Sequence, residues 1–183
     1  MRVTFYDVGQ ALASLVELPD GRFVLVDTGE SPQRPGCGAV CRRDHAALLA
    51  KLERDLEEDP IALVWITHPN SDHIGGAEAV VRRHRVLAYV DNGQGQGATV
   101  ARAHLALTET ATPRRVVDPA ARTVPLEGTD GVSLAAVVPA EWPEDCSREP
   151  NECSIGLRID YCASSVLFTG DAEHRSTGTS RAR

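Results

Sequence analysis

Apolar and polar positions divide the chain into short segments of changing period. Residues 2–6, 14–18 and 23–26 are strand-like runs, with a Pro19-Asp20-Gly21 turn between the last two, and they predict an antiparallel meander that closes on Asp27-Thr28-Gly29. Pro32, Pro35, Gly36 and Gly38 predict a loop over 30–43. Asp44 is then read as the cap of a helix whose Leu48, Leu49, Leu52 and Leu56 recur at helical spacing, and Pro60 ends it. The run Ile-Ala-Leu-Val-Trp-Ile at 61–66 is apolar at every position, as expected of a strand buried on both faces. A helix over 74–83, a strand over 86–90, a helix over 98–107 and strands over 115–117 and 132–138 follow. A hairpin of 154–161 with 165–169 ends on Gly170-Asp171. This alternation, framed by antiparallel pieces, predicts an α/β fold.

Composition narrows the class. With 183 residues, 42% hydrophobic and 25% charged, the chain has ordinary globular composition, enough for one domain over 1–173 and a polar, disordered tail over 174–183. No apolar run approaches the roughly 18 residues of a membrane span, and the start, MRVTFYDVG, lacks the basic and apolar stretches of a signal peptide. A soluble, cytoplasmic protein without a membrane segment is the expectation. A net charge of −7 argues against a broad electrostatic grip on nucleic acid, although a local basic patch stays open. Nothing in the composition sets the oligomeric state.

Five cysteines, Cys37, Cys41, Cys146, Cys153 and Cys162, show no paired CxxC pattern. Reduced thiols in a cytoplasmic protein are the preferred reading; disulfides between Cys37 and Cys41 or between Cys146 and Cys153 in an exported protein are the alternative.

The segment His68-Pro69-Asn70-Ser71-Asp72-His73 carries the densest chemistry. Two imidazoles and a carboxylate within six residues, at the carboxyl end of a buried strand, can turn several donors toward one point. Residues 68 and 70 project to one side of an extended loop, while Asp72 and His73 approach a second point, so one loop could serve two adjacent cations. Gly75 and Gly76 allow the following helix to pack closely. One segment rarely completes a coordination shell, and Asp171, at the end of what reads as another buried strand, is the further carboxylate. Asp27 could orient a ligand histidine by a hydrogen bond. Such a site acidifies bound water and polarises an ester or phosphoryl oxygen, which points to metal-assisted hydrolysis.

These residues also carry a family resemblance. DVGQ at 7–10, LVDTG at 25–29, THPNSDHIGG at 67–76, CSIGLRIDY at 153–161 and LFTGDAE at 167–173 resemble, in that order, the metallo-β-lactamase superfamily. Within it, the likeness is greatest to the hydrolase domain of ComEC-type competence proteins. The resemblance spans about residues 2–173 and implies an αββα sandwich with a metal centre at its strand ends. By that resemblance, His68 and Asn70 bind one ion, Asp72 and His73 a second, and Asp171 bridges them. The expected cofactor is one or two divalent ions, zinc first and manganese as the alternative.

Three departures from the family pattern stand in the sequence. Asn70 occupies the place of the second histidine of HxHxDH, and a neutral amide oxygen suits harder ions such as manganese or magnesium better than zinc. Asp7-Val8-Gly9-Gln10 continues as Ala11-Leu12 rather than Gly-Asp. The family continues past TGDAE to a late histidine motif, whereas this sequence ends at Arg183, so an αββα sandwich incomplete at its C-terminal end is expected. The functional expectation is a metal-dependent hydrolase of a small-molecule or phosphodiester substrate, nucleic acid included, with Asp72 holding an ion and steering the attacking water. The alternative is a degenerate, non-catalytic domain with weak or no metal binding. Arg82, Arg83, His84 and Arg85 are either a phosphate contact or a solvated helix end.

Overall fold

A computed structural model of the chain describes residues 1–143 and 145–173. Six strands form one mixed sheet in sequence order: β1 (Arg2–Phe5), β2 (Ser14–Glu17), β3 (Phe23–Val26), β4 (Ile61–Trp65), β5 (Tyr89–Asp91) and β6 (Arg114–Val116). The first three pair antiparallel, as the predicted meander requires. From β3 onward the pairing is parallel, so the carboxyl ends of β3, β4 and β5 lie along one edge. A second, antiparallel sheet contains β7 (Val132–Val137), β8 (Gly156–Tyr161) and β9 (Ser164–Phe168).

Both faces of the first sheet are covered, which explains the unbroken apolar run of β4. On one face, Leu25, Ile61, Val64 and Tyr89 pack against Leu48, Leu49, Leu52 and Leu56 of α1 (Ala39–Leu56), Val80 and Val81 of α3 (Ala77–Arg83), and Val100, Ala103 and Leu107 of α4 (Ala98–Glu109). On the other, Val24, Val26, Leu63, Trp65 and Val90 meet Val132, Leu157, Ile159 and Phe168 of the second sheet. Trp65 is fully buried there, and its indole N–H donates to the Ile155 carbonyl at 3.0 Å, joining the layers. The expected metallo-β-lactamase-like α/β architecture is thus present, as helices, sheet and sheet. On the outer face of the second sheet Arg158 and Leu167 are exposed.

Several local expectations are corrected. The first helix begins at Ala39, not at Asp44, because the helix breakers are confined to 32–38 and Gly38 serves as the N-cap. The helix expected over 74–83 is two pieces, α2 (Ser71–Ile74) and α3, separated by Gly75 and Gly76. The strand over 86–90 shifts to Tyr89–Asp91, leaving Val86 as an isolated bridge to Ile61. β9 is an edge strand with mostly exposed or half-buried positions, not a buried one. The preference for reduced thiols is overturned at four positions, because Cys37 is bonded to Cys41 and Cys146 to Cys153; Cys162 is a free, exposed thiol. The disordered tail expected over 174–183 lies outside the described residues.

Candidate metal centre

The centre forms where the carboxyl ends of β3 and β4 lie side by side. Asp27 follows β3 with a left-handed backbone, φ 57°, a conformation that costs energy for a residue with a side chain. It is held there by its N–H, which donates to the Trp65 carbonyl at 2.9 Å. Its carboxylate accepts from the Thr67 N–H at 2.8 Å and the Thr67 hydroxyl at 2.9 Å, and pairs with His73 Nδ1 at 2.8 Å. Thr28 adds two hydrogen bonds to the His73 carbonyl, from its N–H at 2.7 Å and its hydroxyl at 2.9 Å.

Close approach of α2 makes this possible. A Cβ on Gly75 would stand 2.0 Å from the Ser31 nitrogen, and one on Gly76 2.1 Å from the Thr28 oxygen, so the close packing expected of both glycines is met. Gly170 plays the same part on the opposite side. With φ 56°, it lies so near Thr67 that a Cβ would fall 2.4 Å from the Thr67 hydroxyl. The segment after β9 can therefore bring Asp171 in, and its Oδ1 lies 3.4 Å from His73 Nε2.

His68, His73 and Asp171 each offer a ligand atom, and the three atoms lie within 4.8 Å of one another. The two imidazoles are buried and their ring centroids are 4.0 Å apart, whereas the Asp171 side chain is 43% exposed. His68 Nδ1 lies 3.1 Å from the Thr67 hydroxyl, and its Nε2 is buried without a hydrogen-bond partner among the described residues. An orphaned ring nitrogen is costly unless something coordinates it. Two nitrogens and one carboxylate oxygen around one space fit a divalent metal ion.

The two imidazoles are shifted in opposite directions. Burial pushes the His68 imidazole down to about 4, with His73 acting in the same direction and Asp27 opposing. His68 is thus neutral at pH 7, the form that binds metal. Burial also opposes charge on His73, but the hydrogen bond and charge of Asp27, reinforced by Asp171 and Asp72, raise it above its ordinary value. The Asp27 contact at Nδ1 leaves Nε2 directed at Asp171.

Asp72 stands further out than Asp171. Asp72 Oδ2 is 4.0 Å from His73 Nε2, and its side chain is 35% exposed. Asn70 commits its Nδ2, which donates to Asn151 Oδ1 at 2.9 Å, and Asn151 Nδ2 donates to Glu173 Oε1 at 3.0 Å. Thr67, which hydrogen-bonds Asp27, and Asn151 and Glu173, linked to Asn70, are contacts that motif spacing did not single out, since a threonine before a histidine or an asparagine 81 positions away carries no ligand signal of its own. Beside Asp27 and Gly170 a cavity of about 250 Å³ opens, with Phe5, Leu12, Leu167 and Phe168 in its lining. The basic cluster at 82–85 is partly neutralised, since Arg82 pairs with Glu109 and Glu78.

A model of the metallo-beta-lactamase superfamily matches residues 6–181. The chain belongs to that superfamily. Solved structures similar to it include a metallo-β-lactamase from Hirschia baltica, at 17% identity and TM-score 0.40 over 91% of this chain and 64% of that one. Another is the metallo-β-lactamase FIM-1 from Pseudomonas aeruginosa in its mono-zinc form, at 14% identity and TM-score 0.35 over 86% of this chain and 64% of that one. The superfamily chain therefore spans just under two thirds of the length of these relatives. No curated protein matches it. Among the described residues, no helix is long and apolar enough to cross a membrane.

Proposed function

We propose that this superfamily member is a metal-dependent hydrolase whose centre is built from His68, His73 and Asp171, with Asp72 and Asn70 at its margin. The observation that carries the reading is that His68, whose buried Nε2 has no hydrogen-bond partner among the described residues, brings a ligand atom within 4.8 Å of those of His73 and Asp171. A divalent ion held there, zinc or manganese, would acidify a bound water and polarise the oxygen of a scissile ester. The chain's own residues do the rest. Asp27 fixes the His73 tautomer and orientation through Nδ1, and Thr67 fixes Asp27. Asp72, a carboxylate open to solvent beside His73, steers the attacking water and takes its proton. Asp171 enters from the second sheet and leaves the mouth accessible.

A phosphodiester, including one in nucleic acid, is the proposed substrate, on the likeness of the 7–10, 67–76 and 167–173 motifs to competence-type hydrolase domains. A small acyl ester or lactone is the second reading. It is favoured by the cavity beside Asp27, whose Phe5, Leu12, Leu167 and Phe168 suit an alkyl or aryl group rather than a charged backbone. Calorimetric titration with zinc and with manganese, followed by hydrolysis of bis(p-nitrophenyl) phosphate and p-nitrophenyl acetate with and without chelator, tests the proposal. Saturable metal binding abolished in His73→Ala, with chelator-sensitive turnover of one ester, is the expected result. A folded protein that binds neither ion would instead be a non-catalytic relic of the superfamily.

A further inference from the structure

Asn70, Asn151 and Glu173 form a hydrogen-bonded row whose direction is set at one end. A carboxylate only accepts, so Asn151 must give its NH2 to Glu173 and keep its carbonyl oxygen for Asn70, as observed at 3.0 and 2.9 Å. Asn70 must then answer with its own NH2, and the atom left uncommitted on that amide is Oδ1. The middle of the row is braced. Asn151 lies in the 3-10 turn Pro150–Cys153, inside the loop closed by Cys146 and Cys153, and Asn92 Nδ2 donates to the Cys153 carbonyl at 2.8 Å. Glu173 stands two residues beyond Asp171, so the segment that supplies the carboxylate ligand also supplies the group that orients the amide.

We propose that Glu173 is a positioning residue: through Asn151 it turns Asn70 so that a carbonyl oxygen, rather than an N–H pair, is offered to a cation held by His68. This rests on the metal-hydrolase reading. It assigns the centre a neutral oxygen donor at the position two after His68, which favours manganese relative to a centre with nitrogen there.

Glu173 is exposed and Asn151 half-buried, so substitutions at both should leave the fold intact, to be verified by circular dichroism. Manganese affinity by calorimetry is the readout. Glu173→Lys replaces an acceptor with a donor, reverses the row and turns the Asn70 NH2 toward the cation; the expected loss is about 10-fold. Adding Asn151→Asp restores an acceptor facing both neighbours and should recover most of that loss. An added positive charge alone could weaken cation binding, so Glu173→Lys is repeated in an Asn70→Ala background. There it should cause no further loss. Unchanged affinity in Glu173→Lys, an equal loss with and without Asn70, or no recovery with Asn151→Asp overturns the proposal. A wild-type chain that binds neither manganese nor zinc removes the metal reading itself, and shows as such before any variant is compared.

Discussion

The two halves of the centre are built differently. Asp27, Thr67, His68 and His73 are all at most 1% exposed and come after strands buried on both faces; Asp27, Thr67 and His73 are tied by hydrogen bonds of 2.7 to 2.9 Å through Thr28, Asp27 and Thr67, and His68 Nδ1 lies 3.1 Å from the Thr67 hydroxyl. Asp171 hangs from β9, an edge strand, and is 43% exposed. The nitrogen donors are thus fixed before any ion arrives, which lowers the reorganisation that binding requires, while the carboxylate keeps freedom to adjust.

That contrast can be broken from either side. The largest effect is expected from Gly75→Val, because its Cβ would meet backbone atoms of Ser31 and Ser71 at 2.0 and 2.1 Å, which cannot retreat as a flexible side chain could. A loss on the order of 4 kcal/mol in urea unfolding is predicted. A smaller effect belongs to Asp91, buried at the end of β5 and bonded by Arg114 at 2.7 and 2.8 Å and by His104 at 3.0 Å. Burial pushes its carboxyl up, but the hydrogen bonds from His104 and Arg114 and the Arg114 charge outweigh this and hold it below the usual carboxylate range. A carboxyl depressed in the folded state stabilises above its unfolded value and loses that contribution as pH falls through its folded one. Asp91→Asn should therefore cost about 2 kcal/mol at pH 7 and flatten the decline in urea midpoint between neutral and strongly acidic pH. An unchanged acid limb would remove Asp91 from the account. The smallest stability effect is expected from the exposed half: Asp171→Ala should shift unfolding by less than about 0.5 kcal/mol while weakening metal binding at least about 10-fold. Equal losses in both measurements would show that the exposed half is as structural as the buried one.

Much of the buried half was legible in the sequence. The unbroken apolar run at 61–66 announced a strand covered on both faces, and His68, Asp72 and His73 at its end announced ligands; the structure places His68 and His73 side by side. Asp27 was read as able to orient a histidine by a hydrogen bond, and it makes one to His73. The exposed half was less legible, because an edge strand and a buried strand are hard to tell apart from an apolar run of three residues such as Val166-Leu167-Phe168. The two cysteine pairs stood in the sequence as the alternative reading, but their oxidised state did not, since spacing does not report whether neighbouring thiols are bonded. Thr67 and the Asn151–Glu173 row escaped for a related reason: their roles depend on neighbours distant in sequence, as in the hydrogen bond linking Asn70 to Asn151 across 81 positions.

The Trp65 indole has a consequence beyond packing. It is one of two tryptophans in the chain, wedged where the layers meet and tethered to the Ile155 carbonyl, whereas Trp142 is only partly covered. Any loosening of the sandwich must carry that ring from a dry crevice into water, so the chain contains its own fluorophore for interlayer separation, one whose emission reddens as the gap admits solvent.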